Sequence, residues 1–285
     1  MTRSYLLFVA GLAPACGSPA APAVRAASEE VFHFSSAGVQ LSGWLFLPEG
    51  RGPFPGVVLV HGSGPVRALE HMPLVQVFRD HGYAVLSYDK RGAGSSGGVY
   101  RGVSAANSDS MIRVLAGDAA AGLEALARDA RIDRRRLGLA GGSQAGWVIP
   151  NTATRYPVAF AVILSGPLVT VGEEIHYSNL FEEAARPLEA VDSMLAAYTG
   201  PRGYDPVPDV RRMSGAVYWV WGALDRSIPA VRSAAIARDL IGEPGRSAWR
   251  MITYPTGDHA LRDTGTGAFI SFWEPVFHWL ADVAH

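Results

Sequence analysis

Apolar residues along the chain fall into two rhythms. Gly56-Val57-Val58-Leu59-Val60 is a short continuous apolar run, the pattern of a strand buried on both faces. Similar runs occupy residues 83–88, 137–140, 159–164 and 217–221, with a further strand near 249–254. Between them lie longer stretches in which apolar positions recur every three or four residues, the period of an amphipathic helix. The clearest spans 108–129, where Ile112, Leu115, Ala119, Leu123 and Leu126 share one face. Others cover 69–81, 147–156, 230–241 and 267–283. Ahead of them, residues 30–47 alternate about an Ala37-Gly38 turn and read as an antiparallel hairpin. Strands alternating with helices predict an α/β protein with a mostly parallel twisted sheet and helices on both faces. The hairpin supplies an antiparallel edge. Residues 168–214 break the rhythm with a helical pattern at 173–198 and then a Pro/Gly-rich stretch. An interval this long predicts a small helical cap over a site.

Composition narrows the picture without changing it. The chain has 285 residues, 48% hydrophobic and 18% charged, with a formal net charge of −1. That fits one globular domain, placed at 28–285. No basic stripe argues for nucleic acid, and past the leader no apolar run reaches the ~20 residues of a spanning helix. Residues 1–27 read as a signal peptide and linker: Met1-Thr2-Arg3, an apolar run at 5–12, then small residues and prolines. Cleavage near Ala15 or Ala26 would release a soluble exported protein. Cys16, followed by Gly17-Ser18-Pro19, instead resembles the lipidated cysteine of a bacterial lipoprotein, with Ala13-Pro14-Ala15 in place of the usual leucine at −3. The expected location is periplasmic or extracellular, with membrane contact only through a lipid at Cys16. A single cysteine permits no internal disulfide.

The chemistry centres on Gly141-Gly142-Ser143-Gln144-Ala145-Gly146, between the run at 137–140 and the following helix. A serine on a sharp strand-to-helix turn needs φ > 0 and small neighbours two positions away, the features of a nucleophile elbow. The bland alternative is a Gly-rich turn with serine as a helix N-cap. The elbow reading also puts the Gln144 N–H at a helix N-terminus, where a developing oxyanion is favoured. Three more motifs follow strand ends, where open α/β sheets bind ligands. His61-Gly62-Ser63-Gly64-Pro65 can offer the Ser63 N–H as a second oxyanion donor, with His61 packed to order the loop. Gly222-Ala223-Leu224-Asp225 carries an acid, and Gly257-Asp258-His259 a histidine.

Together with Asp89-Lys90-Arg91-Gly92-Ala93-Gly94-Ser95-Ser96, these motifs resemble the α/β-hydrolases of the esterase, lipase and serine-aminopeptidase-like group, from about Phe32 to the C-terminus. The resemblance implies a Ser143–His259–Asp225 triad, an acyl-enzyme, and no cofactor or metal. It makes Asp89 and Arg91 loop-fixing residues. Asp225 is preferred to Asp258 as the partner of His259 by motif position. The implied substrate is a small carboxylic ester. A peptidase is the nearest rival, with Glu173-Glu174 and Glu182-Glu183 as candidate amine holders, and a thioesterase is a further one. A non-catalytic binding protein on the same fold is the rival from another class. Trp147, Tyr177, Phe181 and Tyr198 are the aromatic candidates for an acyl pocket.

Overall fold

The computed structural model describes residues 26–183 and 186–283. Residues 1–25, with Ala15 and Cys16, and the terminal His285 lie outside the described residues.

Eight strands form one sheet in the order β1-β2-β4-β3-β5-β6-β7-β8. β1 (Ser28–Ser36) and β2 (Val39–Leu47) make the expected hairpin, and β2 runs antiparallel to β4 (Ala84–Tyr88). All remaining pairings are parallel: β3 (Phe54–Val60) lies between β4 and β5 (Ile132–Gly142), followed by β6 (Phe160–Leu164), β7 (Ala216–Gly222) and β8 (Arg250–Tyr254). The alternation of side chains along each strand builds two cores. Val58, Val60, Trp219 and Trp221 pack against α2 (Ser108–Ala127), α3 (Ala145–Ala153) and α7 (Ala230–Ile241). Val57, Leu59, Tyr218 and Val220 pack against α1 (Met72–Asp80) and α8 (Trp273–Val283). This is the α/β-hydrolase arrangement.

Element boundaries differ from the sequence reading in two informative places. The helical pattern at 173–198 resolves into α4 (Val171–Glu183) and α5 (Leu188–Ala196). Pro187 stands extended at the start of α5 (φ −64°, ψ 146°), and its ring offers no N–H to continue a helix. A short α6 (Val207–Arg212) completes the interval. The last helix begins at Trp273 rather than near Gly267. Residues before it are held otherwise: Asp263 accepts hydrogen bonds from the Gly265 and Thr266 N–H groups, and Arg262 pairs with Phe269 across an antiparallel bridge.

The segment after β4 is fastened by charge. Asp89 accepts from the Ala68 N–H (2.8 Å) and the Ser95 N–H (2.7 Å). A Cβ on Gly94 would sit 2.1 Å from the same carboxylate, so only glycine fits there. Arg91 forks onto buried Asp118 of α2, with Nε to Oδ2 at 2.7 Å and Nη2 to Oδ1 at 2.5 Å. Cutting a buried pair strands a charge at a cost of about 3–5 kcal/mol. Asp118→Ala should therefore lose about that much stability in urea unfolding, and Asp118→Leu with Arg91→Met should recover most of it. A loss under ~1 kcal/mol for the single change would show that the pair does not hold this segment.

Candidate active site

The turn between β5 and α3 is strained where the sequence motif requires it. Ser143 has φ +55°, a conformation that costs a non-glycine residue of order 1–3 kcal/mol. Its neighbours leave no room for side chains. A Cβ on Gly141 would lie 2.3 Å from the Val60 carbonyl, and one on Gly146 would lie 2.6 Å from Gly166 Cα. The indoles of Trp219 and Trp221 both donate to the Gly166 carbonyl, at 2.9 and 2.7 Å. They fix the backbone that Gly146 packs against. The Ser143 N–H donates to the Leu164 carbonyl of β6 (3.0 Å), which ties the turn to the rim of the sheet.

Asp225 follows β7 and is fully buried. Its Oδ1 accepts from the Ser227 and Ile228 N–H groups, at 2.7 and 2.9 Å, and its Oδ2 lies 2.8 Å from His259 Nδ1. With Nδ1–H given to the carboxylate, neutral His259 keeps Nε2 as an acceptor. Asp258 turns away and accepts from the Arg262 N–H (2.8 Å). Burial by itself lowers the His259 pKa. The hydrogen bond and charge of Asp225, with Glu174 and Asp258 behind them, outweigh that and leave it above its ordinary value of 6.5.

The loop after β3 passes beside the serine. A Cβ on Gly62 would sit 3.8 Å from Ser143 Cβ. Among the described residues, neither the Ser63 N–H nor the Gln144 N–H has a hydrogen-bond partner. His61 is buried, holds the Tyr88 carbonyl through Nε2 (2.6 Å) and stacks on His71, which suits an ordering role. His33, His81, His176 and His278 lie in separate surroundings: His33 bonds Ser42, His81 stacks on Phe277, His176 stacks on Tyr198, and His278 is exposed.

Ser143 and His259 both line one chamber of about 450 Å³, whose walls are almost wholly apolar. Leu74 and Val77 come from α1, Leu261, Phe269 and Ile270 from the loop after His259, and Trp273 from α8. A second cavity of about 450 Å³ also borders His259 and is more polar, with Arg226, Ser227 and Asp258 in its wall. The Ser143 hydroxyl makes no hydrogen bond to the imidazole among the described residues. The four aromatics expected in an acyl pocket are used elsewhere. Trp147 donates to the Val169 carbonyl and Tyr177 to the Asp225 carbonyl, while Phe181 packs on Tyr177 and Tyr198 on His176. Glu173 is buried under Thr170, Arg202 and Arg232, and Glu182 is exposed. The side chain of Glu183 lies outside the described residues. Glu174 bears on the Asp225–His259 pair: burial pushes its carboxyl up to about 7, His259 pulls it down and Asp225 pushes it up.

Comparison with known proteins gives this geometry a lineage. The sequence model of the prolyl oligopeptidase family matches residues 71–285. The chain belongs to the prolyl oligopeptidase family. It is 33% identical over 133 residues to the uncharacterized peptidase YuxL of Bacillus subtilis, an alignment covering 44% of this chain and 20% of that protein. It is 45% identical over 58 residues to esterase EstD of Thermotoga maritima, covering 18% of this chain and 14% of that one. The chain thus spans a small part of either relative. In fold it resembles Pyrococcus furiosus esterase Pf2001, with a TM-score of 0.69 at 16% identity over 91% of this chain and 92% of that one. It also resembles 2,6-dihydroxy-pseudo-oxynicotine hydrolase, with a TM-score of 0.66 at 17% identity over 90% and 68% of the two chains. It is an α/β-hydrolase superfamily member with esterase-like and peptidase-like relatives.

For this prolyl oligopeptidase family member, sequence reasoning missed the chamber walls. Phe269 and Ile270 read as the start of a helix, although Gly265-Thr266-Gly267 just before them signals a break. Because the His259 pKa is raised on folding, its pairing with Asp225 contributes stability that is complete below ~6.5 and lost as pH climbs through the folded value. The imidazole resonance should therefore titrate above 6.5 in the native protein and lower in Asp225→Asn. The melting-temperature gap between the two proteins should be wider at pH ~5.5 than at pH ~9. A gap that widens at high pH would contradict this electrostatic account.

Proposed function

We propose that the protein is a serine hydrolase that cleaves small carboxylic esters with an apolar acyl group. The observation that carries this reading is that a strained Ser143 and His259, paired with buried Asp225, line the same apolar chamber. The acyl chain occupies the chamber and the scissile carbonyl lies over Ser143. Hydrogen bonds of this kind often tighten only when substrate is bound, so His259 Nε2 takes the Ser143 proton as Oγ attacks. The oxyanion accepts from the Ser63 and Gln144 N–H groups, each such donor contributing about 2.7–4 kcal/mol to the transition state. As the tetrahedral adduct collapses, the ester C–O bond breaks and His259 protonates the departing alkoxide. Water then attacks the acyl-enzyme, its proton passes to His259, and Ser143 is released with the free acid. Asp225 keeps the imidazole in the needed tautomer and stabilises its cation.

Amide hydrolysis is the second reading. It is favoured by the family assignment and by Glu174, whose carboxyl reaches the triad region from the cap. An amine next to a scissile amide would be its natural partner.

Purified protein should hydrolyse p-nitrophenyl butyrate, and Ser143→Ala should lose on the order of 10⁶ in kcat. A fluorophosphonate probe should label Ser143, as located by mass spectrometry. Hydrolysis that survives Ser143→Ala would move the nucleophile elsewhere. Export is part of the same proposal: the mature N-terminus should begin at an acylated Cys16 or after Ala15 or Ala26, as read by intact mass. A protein isolated with residues 1–27 in place would end the export reading.

A further inference from the structure

Lys90 is the unexplained group beside this site. It is 1% exposed, yet no carboxylate lies within 4.0 Å of its ammonium among the described residues. Its flanking charges are engaged elsewhere, Asp89 with the Ala68 and Ser95 N–H groups and Arg91 with Asp118. Instead, Nζ donates to the Gly62 carbonyl (2.6 Å), the Gly64 carbonyl (2.9 Å) and the Gln144 side-chain Oε1 (2.9 Å), and it sits 4.0 Å from the centre of the Tyr100 ring. Burial pushes its pKa down to about 7. His61 and His71, the other basic groups facing it, are held below their ordinary values by burial. A lysine needed only to fill space would reach solvent with its charged end, as its long stem allows. This one spends all three donors on the two segments that carry the candidate oxyanion donors.

We infer that Lys90 is the positioning residue of the oxyanion hole, clamping the loop at 62–64 to the residue after the nucleophile. The inference rests on the proposed role of Ser143. Its physical basis is the planar trans peptide, in which C=O and N–H point in opposite directions. Pinning the Gly62 carbonyl on Lys90 therefore turns the Ser63 N–H away from Lys90 and fixes its direction. The Lys90 hydrogen bond to that carbonyl also polarises the peptide and strengthens its N–H as a donor. On the other side, Lys90 and Tyr100 hold the Gln144 side chain, the latter by Gln144 Nε2 donating to the Tyr100 hydroxyl (3.2 Å). That leaves the Gln144 backbone N–H unencumbered. The residue acts through these two groups and does not itself touch substrate.

Removing one oxyanion donor outright costs ~10²–10³ in kcat, so loosening the hole should cost somewhat less. Lys90→Met keeps the stem length and removes every donor. It should lower kcat ~10–100-fold with KM changed less than ~3-fold, and weaken a trifluoromethyl ketone transition-state analogue by the same factor as kcat/KM. Lys90→Gln restores N–H donors and should regain part of the loss; it also serves if the methionine variant does not fold. Endpoint labelling of Ser143 by fluorophosphonate counts the folded sites in each protein. Unchanged kcat, or a fall in kcat with analogue affinity intact, would overturn the clamp. Absence of Ser143 labelling in the unmodified protein would overturn the hydrolase reading instead, and the clamp with it.

Discussion

The site depends on one constraint, the closeness with which the backbone turns from β5 into α3. Ser143 can hold φ +55° only because Gly141 and Gly146 let the strand and the helix pass within contact of Val60 and Gly166. Strain of this kind persists when the surroundings over-determine it. Here they do, through the Leu164 carbonyl on the Ser143 N–H and two tryptophan indoles converging on the Gly166 carbonyl. The sheet supplies the rest. Parallel strands end together, so the loops after β3, β5, β7 and β8 gather at one rim although their residues are nearly 200 positions apart in the chain.

The sequence made the rim legible because each of its parts is local. A continuous apolar run marks a buried parallel strand, and glycines beside Ser143, before Asp225 and before His259 mark sharp turns at strand ends. Eight paired strands follow that reading closely. Of the two acids weighed, it is Asp225 that lies 2.8 Å from His259 Nδ1, while Asp258 accepts from the Arg262 N–H. The chamber walls were not legible, since Leu74, Phe269 and Trp273 come from separate segments whose meeting depends on tertiary packing. Aromatic identity alone pointed to Trp147 and Tyr177, which are committed to backbone carbonyls. The break in the helical stretch at 173–198 was written in Pro187, but the helical period on either side of it masked the signal.

Lys90 shows why a motif can be recognised and still be incompletely understood. Within Asp89-Lys90-Arg91, the outer two charges fasten the segment to its own surroundings, to Ala68, Ser95 and Asp118. The middle side chain points the other way, into the space between the loop at 62–64 and Gln144. The chain leaves β4 through a turn here, with the Ala93 N–H donating to the Lys90 carbonyl (2.8 Å), so the three side chains fan out to three different partners. One tripeptide thus serves two structures at once, and neither job can be read from the residue types alone.

Burial makes the groups around Lys90 and His259 count for more electrostatically. An apolar wall keeps the local dielectric low, which makes a fixed dipole or charge count for more than it would in water. In such surroundings a carboxylate beside Lys90 would cancel its field just where the proposed chemistry develops negative charge. The polar groups that hold Lys90 are all neutral, two backbone carbonyls and one side-chain amide, so no carboxylate offsets it and burial pulls its pKa down to about 7. Fully buried Asp225 faces His259, where positive charge would develop. The fold therefore brings a buried amine donor to the segments carrying the candidate oxyanion N–H groups and a buried carboxylate to the candidate base, each from the end of a different strand. Groups fixed in this way before substrate arrives need no reorganisation as charge develops, which is what electrostatic stabilisation of a transition state requires.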